Sequence, residues 1–242
     1  MKSNAIVDLK QAMTKPARGH VTEHVFQQLR HGLMVGAFAP GQVLSLRNLA
    51  SAFGTSSMPL RAALTRLVEV NALEATEGGS ARVPRLTTKN LEELFELRQM
   101  LEGRATELAC SHANPALIKS LEAINKELLK AIMSRDIPNS LRLNQKFHFT
   151  LYTAADTAIL LPLIESLWLR VGPTMYLSFL STNTPWDTSG HVDILEGLRE
   201  GNAAKVKRAV TREIRDTCIT LAPVMMQNTH GLLSSQLQNL HF

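Results

Sequence analysis

One segment of the chain, residues 40–73, constrains the fold most, because it carries two short helical patterns joined by a tight turn at Gly54. Apolar side chains recur at helical spacing on both sides of this turn: Leu46, Leu49, Ala50 and Phe53 before it, and Leu60, Leu64, Leu67 and Val68 after it. The pattern predicts a helix-turn-helix, whose second helix enters the major groove of DNA. A solvated helical hairpin that happens to carry arginines is the alternative.

The face of the second helix opposite its apolar stripe supplies polar side chains about one helical turn apart, so that they could reach base edges together. The segment after this helix, EATEGGSARVPRL, is typical of a β-hairpin with Gly78 and Gly79 at its tip, which makes the module a winged helix. The residues that we expect to meet DNA are Arg47, Ser56, Ser57, Met58, Arg61, Thr65 and Gly78.

The net positive charge of the chain comes from the region that contains this module, residues 1–86. Residues 1–86 hold ten of the 26 basic and five of the 21 acidic side chains, whereas residues 87–242 hold sixteen of each. An excess of positive charge on one module is the electrostatic footprint of phosphate binding.

Other features of the sequence exclude several classes of protein. No apolar run is long enough to cross a bilayer, and the start of the chain lacks the apolar core of a signal peptide, so a cytoplasmic location is expected. Cys110 and Cys218 are expected to be reduced thiols. Glycine-rich phosphate loops and the Gly-x-Ser-x-Gly motif are absent from the sequence.

The remaining two thirds of the chain has helical periodicity almost throughout, which predicts a mainly α protein that ends in an all-α helical bundle. We place its helices at about 88–112, 114–134, 138–155, 158–181, 188–200 and 202–222. The predicted division of the chain is a flexible arm over 1–17, a winged helix-turn-helix domain over 18–86, a helical domain over 87–222 and a C-terminal tail over 223–242.

Polar side chains interrupt the apolar stripes of three helices in the bundle. They are Asn144, His148, His191 and Glu213. Burying such groups is costly unless they find partners, and two imidazoles with a carboxylate suit a divalent metal such as zinc, nickel or manganese. A polar effector pocket, or hydrogen bonds among these residues without metal, is the other interpretation, and the sequence leaves both open.

Arg98 shares an apolar stripe with Leu94 and Leu101, so its guanidinium is expected to point inward. Because arginine keeps its charge, an inward guanidinium needs an anion, and a small organic acid held bidentately would serve. Pairing with Glu102 one turn later, or an extended side chain at the surface, is the alternative.

The chain resembles the GntR superfamily of bacterial transcription regulators, in particular its FCD subgroup, over about residues 20–222. The blocks that carry the resemblance are PGQVLSLRNLASAFGTSSMPLRAALTRL, LFELRQMLEGRATELA, FHFTLYTAADTAILLPLIESL and the segment from His191 through ILEGLREGN. The resemblance implies a homodimer with an N-terminal winged helix and a C-terminal effector-binding and dimerisation domain of six or seven helices. It also implies an inverted-repeat operator and control by a small metabolite that usually carries a carboxylate.

The resemblance extends to individual residues unevenly. Arg47 and Arg61 match family positions that touch DNA, whereas Ser57 stands where some relatives carry a third arginine. The FCD subgroup often has a metal site of Asp-x3-His followed by two further histidines. His148 and His191 match it, while Asn144 replaces the aspartate and Glu213 replaces the last histidine.

These features predict a ligand-responsive, DNA-binding transcription regulator, and the resemblance favours a repressor. A metal-dependent helical-bundle enzyme with a DNA-binding appendage is the alternative, since histidines and carboxylates within a bundle can support metal chemistry. The sequence offers no separate base or nucleophile beyond the proposed ligands, so we expect no enzymatic activity.

Overall fold

The computed structural model describes residues 21–180 and 186–228. The predicted arm over 1–17 and the part of the predicted tail beyond residue 228 lie outside the described residues. The described chain is mainly helical, with a small antiparallel sheet near its N-terminal end. Among these residues two compact units are present: one holds residues 21–86, Trp168–Thr174 and residues 227–228, and the other holds Thr87–Leu167 and the described part of Met175–Met226. The predicted single division at residue 86 did not include the segment Trp168–Thr174.

The first unit has the predicted winged helix-turn-helix architecture. Its elements are α1 (Val21–Met34), β1 (Val43–Leu44), α2 (Leu46–Phe53), α3 (Ser57–Glu69), β2 (Glu74–Ala75) and β3 (Ala81–Arg82). The sheet is antiparallel in the order β1-β3-β2, with Ala81 of β3 opposite Leu44 on one side and Ala75 on the other. A short 3-10 turn, Glu77–Gly79, joins β2 to β3 and forms the tip of the wing.

Local sequence explains where the two helices of the DNA-binding motif begin and end. Ser45 caps α2, because its hydroxyl accepts a hydrogen bond from the backbone N–H of Asn48 at 3.2 Å. Gly54 ends α2 in the left-handed conformation, with φ of 58°, which glycine adopts without steric cost. Ser56 occupies the N-cap position of α3, although its side chain makes no capping hydrogen bond.

The core of this unit lies between α1, α3 and the wing. Five leucines of α1 and α3 have essentially no exposed surface: Leu29, Leu33, Leu60, Leu64 and Leu67. Because the apolar stripe of α3 is buried in this way, its opposite face is left exposed. Arg66 holds the edge of this packing, since its guanidinium pairs with Glu23 at 2.6 Å and lies over the ring of Phe26.

The second unit is a helical bundle built from Thr87–Leu167 and Met175–Met226, and one of its helices also carries the segment Trp168–Thr174 of the first unit. Its helices are α4 (Thr88–Ser111), α5 (Pro115–Met133), α6 (Ile137–Thr153), α7 (Leu160–Met175), α8 (Ser189–Arg199) and α9 (Ala203–Asn228), with a 3-10 turn at Tyr176–Leu180 after α7. Thr87, Asn114 and Asp136 cap three of them through their side chains, as their residue types lead one to expect. Among the described helices, none is both long enough and apolar enough to cross a bilayer.

Two helix ends differ from the prediction. The helix expected over 158–181 ends at Met175 and tightens into the 3-10 turn, because Pro173 removes a backbone donor within its last turn. The last helix was expected to end at residue 222, but it continues through Pro223 to Asn228. Proline removes only one backbone hydrogen bond there, while the burial of Leu221, Val224 and Met225 stabilises the helix on both sides of it. The predicted helix therefore ended six residues too early.

Candidate functional site

The residues predicted to meet DNA all lie on the exposed surface of the first unit. They are Arg47 on α2, Ser56, Ser57, Met58, Arg61 and Thr65 at the start and along the outer face of α3, and Gly78 at the wing tip. Met58 is 80% exposed, which is unusual for a large apolar side chain. An exposed methionine beside polar side chains suits contact with the methyl group of thymine.

The wing and the outer face of α3 meet at Arg61. The guanidinium of Arg61 occupies the space that a β-carbon at position 79 would fill. Only glycine therefore fits at position 79 without moving Arg61. Gly78 and Gly79 both have positive φ, 73° and 81°, in the region that favours glycine. The GlyGly pair therefore shapes the wing tip and also leaves room for the arginine.

The second unit brings three of the four predicted metal ligands to one point. The Nε2 atom of His148 lies 3.0 Å from Oε1 of Glu213, and Nε2 of His191 lies 3.4 Å from the same oxygen. The two Nε2 atoms are 3.3 Å apart. His148 comes from α6, His191 from α8 and Glu213 from α9, so the fold collects them from three helices.

The orientation of His148 is set by a buried chain of hydrogen bonds. The hydroxyl of Tyr152 lies 3.1 Å from Nδ1 of His148 and donates to Oε2 of Glu102 at 2.5 Å. Glu102 also pairs with Arg98, whose Nε lies 2.7 Å from Oε1. Glu102 and Tyr152 are fully buried, and Arg98 is 4% exposed.

The orientation of His191 is set by a different pair of residues. Its Nδ1 lies 3.0 Å from Oδ1 of Asn125 on α5, and because an amide oxygen only accepts, Nδ1 is the donor. The ring of Phe147 stacks on the imidazole, with the centroids 3.8 Å apart and the planes 4° from parallel. The Nε2 atom of His191 is therefore directed at Glu213 and His148.

Burial and close contacts shift the pKa values of His191 and Glu213 in this cluster. Burial lowers the pKa of His191 below its ordinary value, which favours the neutral imidazole. Burial raises the pKa of Glu213, but the neighbouring charges and hydrogen bonds of His148 and His191 outweigh it, so that its pKa lies well below the usual range. When both imidazoles are neutral and carry their protons on Nδ1, two nitrogen lone pairs and a carboxylate oxygen face one another at 3.0–3.4 Å.

The arrangement fits a divalent cation. Ligand atoms about 2.0–2.1 Å from a tetrahedral zinc ion stand about 3.3 Å from one another, close to the separations between these three atoms. Oε2 of Glu213 is buried and has no hydrogen-bond partner among the described residues, so a further acceptor is available. The three residues form a possible His/Glu metal site. Asn144, the fourth predicted ligand, is buried one helical turn before His148 and lines the same cavity.

A cavity of about 260 Å³ opens beside the cluster, entirely within the second unit. His148, His191 and Glu213 form part of its wall, and Arg98 forms another part. The two interpretations of Arg98 therefore hold together: its guanidinium points inward to the cavity and also pairs with Glu102. Arg212, also in the wall, forms an ion pair with Asp193.

The two units match two known protein families in succession. The sequence profile of bacterial regulatory proteins of the gntR family matches residues 21–83, and the profile of the FCD domain matches residues 93–216. The chain belongs to the GntR family and carries its FCD domain. All seven predicted DNA contacts fall within the first match, and Arg98, Asn144, His148, His191 and Glu213 fall within the second.

Individual GntR relatives agree with this assignment. The HTH-type transcriptional regulator McbR of Escherichia coli K12 is 31% identical over 208 residues, which cover 86% of this chain and 90% of the relative. The solved structure of E. coli McbR/YncC superposes with a TM-score of 0.73 at 28% identity, covering 90% of this chain and 98% of that one. The HTH-type transcriptional repressor RspR of E. coli K12 is 23% identical over 86% of this chain and 92% of its own length.

These relatives are transcriptional regulators, not enzymes. The prediction of a ligand-responsive, DNA-binding GntR regulator is confirmed, and the enzymatic alternative is set aside. The mainly α fold with a winged N-terminal unit and a helical C-terminal bundle is confirmed as well.

Sequence reasoning did not find the residues that orient the two histidines in the FCD domain. Tyr152 follows His148 by four residues, so the spacing on α6 could have indicated it. Glu102 was considered only as a partner for Arg98, although it also accepts from Tyr152. Asn125 lies 66 residues from His191, and nothing local in the sequence points to their contact.

Proposed function

We propose that this GntR protein is a repressor that binds an inverted-repeat operator as a homodimer and responds to a small organic acid bound beside a divalent metal ion in its FCD domain. The observation that carries the ligand part of the proposal is the convergence of His148, His191 and Glu213 on the wall of a cavity that also contains Arg98. The name of the relative RspR, a transcriptional repressor, supports the direction of the regulation.

Three parts of the surface would contact the operator. Arg61, with Ser57, Met58 and Thr65, presents the outer face of α3 to base edges in the major groove, while Arg47 and the wing at Gly78 reach the backbone on either side. The exposed acidic residue Glu77 at the wing tip would be repelled by phosphate. We therefore expect the wing to approach the backbone through the N–H groups of its glycines and not through side-chain charge.

His148, His191 and Glu213 would hold zinc, nickel or manganese, with Asn144 as a neutral fourth ligand whose amide oxygen adds no charge attraction. The ion would supply a positive charge and open coordination positions to an anionic effector. Neutral imidazoles and an ionised Glu213 are the forms that bind metal, and burial of His191 favours the first of these.

The charges of the cavity wall indicate why an acid effector would need the metal. The wall holds the guanidinium groups of Arg98 and Arg212 and the carboxylates of Asp187, Glu213 and Asp216, so it has one negative charge in excess. A divalent cation reverses this sign. Glu102 already neutralises much of the charge of Arg98, so Arg98 would orient a carboxylate by bidentate hydrogen bonding more than it would attract one.

A thermal-shift screen tests the proposal. Mono-, di- and tricarboxylic acids, with neutral and cationic compounds for comparison, are added to metal-free and to zinc-, nickel- or manganese-loaded protein. The stabilising compounds are then tested for release of the operator in mobility shifts. We expect acids to raise the melting temperature only of the loaded protein, and Arg98→Lys to weaken this response. Arg104→Lys is the matched control, since Arg104 lies on the same helix and is 61% exposed. Stabilisation by neutral or cationic compounds alone would contradict the acid effector.

The oligomeric state and the metal content are tested together by native mass spectrometry of protein purified without chelators. A dimer mass with one divalent ion per subunit is expected. A monomer at the concentration that shifts the operator would contradict the homodimer, and metal-free protein after incubation with all three ions would contradict the metal site.

A further inference from the structure

On the side of its ring away from Glu213, His148 contacts Tyr152, which in turn contacts Glu102. Glu102 on α4 is a fully buried carboxylate. Its Oε1 accepts from Nε of Arg98 at 2.7 Å, and its Oε2 accepts from the hydroxyl of Tyr152 at 2.5 Å and from Nη2 of Arg98 at 3.4 Å. A carboxylate can only accept, so the single proton of the Tyr152 hydroxyl lies in the bond to Glu102.

The position of the Tyr152 proton determines which ring nitrogen of His148 carries a proton. The hydroxyl oxygen of Tyr152 is 3.1 Å from Nδ1 of His148, and since its proton is already used, the oxygen must accept. Nδ1 of His148 is then the donor, and in the neutral imidazole Nε2 carries a lone pair. That lone pair is directed at the point where Nε2 of His191 and Oε1 of Glu213 also lie.

The opposite tautomer would close the site. With the proton on Nε2, His148 would donate to Oε1 of Glu213 across the observed 3.0 Å, a charge-assisted hydrogen bond that satisfies both groups without any cation. Removing the acceptor at Nδ1 favours this form. The short bond between Tyr152 and Glu102, itself fixed by the ion pair with Arg98, is what opposes it.

We propose that Tyr152, held by Glu102, is a positioning residue that keeps the proton of His148 on Nδ1 and thereby keeps Nε2 available to a cation. The inference rests on the proposed function, because it concerns the same metal site. Second contacts of this kind commonly change the metal affinity of a histidine site about ten- to a hundredfold.

The first measurement is made on the full-length, metal-free wild-type protein. Nitrogen-15 chemical shifts of the histidine rings at about pH 8, where an ordinary imidazole is neutral, report which nitrogen carries the proton, and His148→Ala assigns the signal. We expect His148 with its proton on Nδ1. A proton on Nε2 of His148 in the wild type overturns the inference.

The second measurement compares Tyr152→Phe with the wild type. This change removes one hydroxyl and keeps the ring that fills the core. We expect the proton of His148 to move to Nε2 and the dissociation constant for zinc to rise about ten- to a hundredfold. Thr106→Val removes a different buried hydroxyl, one that donates to the backbone carbonyl of Gly103 at 2.9 Å, and it should alter neither quantity.

The two proposals fail in different ways. If Tyr152→Phe binds zinc as the wild type does and its His148 keeps the proton on Nδ1, the positioning role is wrong although the metal site stands. If the wild type binds none of the three metals, the metal part of the proposed function fails, and the ring nitrogen shifts of His148 in wild type and Tyr152→Phe still decide the inference.

Discussion

Gly190 on α8 faces the carboxylate of Glu213 on α9 so closely that a β-carbon at position 190 would lie 2.9 Å from Oε2. A glycine is therefore required at this point if Glu213 is to keep the position from which it meets the two histidines. The requirement is steric, because nothing in the backbone conformation of a helical residue demands glycine.

Gly190→Ala should weaken metal binding about tenfold while leaving the fold intact, because the added methyl group displaces the carboxylate from the cluster. The free energy of unfolding of the metal-free protein should not fall, since alanine favours the helix over glycine by up to about 1 kcal/mol. Isothermal titration with zinc measures the first effect, and denaturant unfolding measures the second.

Gly103→Ala is the matched control for this change. Its β-carbon would also meet α9 closely, at 3.0 Å from Cγ2 of Thr211, but away from the metal cluster. Equal loss of zinc affinity in both variants would show that the spacing of the helices, and not the position of Glu213, is responsible.

Gly79→Ala should lower affinity for the operator by displacing Arg61 from the wing. Its backbone strain, about 1–2 kcal/mol for the left-handed conformation, is shared by Gly78→Ala, which meets no atom within 4 Å. Both variants should therefore lose similar stability, and Gly79→Ala should lose more DNA affinity. In an Arg61→Ala background the two changes should have equal effects on DNA binding, which a double-mutant cycle measures.

Arg61→Ala should cost about 1–3 kcal/mol of binding free energy at the DNA site that the wild type selects from a random pool, and should relax the preference at one base pair. Mobility shifts at fixed salt give the affinity. Arg66→Ala removes the same charge from the same helix, but Arg66 pairs with Glu23 and lies over Phe26. Base preference should survive that change. Unaltered preference in Arg61→Ala would remove this arginine from the set of base contacts.

His148→Ala and His191→Ala should each abolish retention of metal, whereas Asn144→Asp should tighten it by adding a charged ligand. Plasma emission analysis of the purified proteins gives the metal content per chain. If Asn144→Asp retains no more metal than the wild type under competition with a chelator, Asn144 is a wall residue of the cavity and not a ligand.

The helices of the protein follow from the sequence where their ends are decided locally. Ser45 and Asn114 are cap residues that act within three positions, so both helix starts could be predicted to within one or two residues. The end of α9 could not, because it depends on whether Leu221, Val224 and Met225 are buried, and burial is a property of the whole fold.

The same distinction applies to the candidate metal site, some of whose residues could be predicted from the sequence and others not. His148 and His191 stand out as polar residues within apolar stripes, so they are visible in one helix at a time. Their orienting partners Glu102 and Asn125 come from other helices at separations of 46 and 66 residues, and only packing brings them near. For Arg98 the sequence offered an inward guanidinium or an ion pair with Glu102 as alternatives. In the structure Arg98 lines the cavity and also pairs with Glu102.

Because the three residues of the cluster come from α6, α8 and α9, an ion bound to them would affect the stability of the folded protein. His148 and Glu213 are 65 residues apart in the sequence, so an ion held by both would act as a reversible cross-link over a long loop. The unfolded chain would have to close this long loop to bring both ligands together, so the ion would bind the folded form, and it would add stability that rises with the logarithm of its free concentration. The amount of folded protein in the cell would then follow the supply of the ion, before any effector or operator is involved.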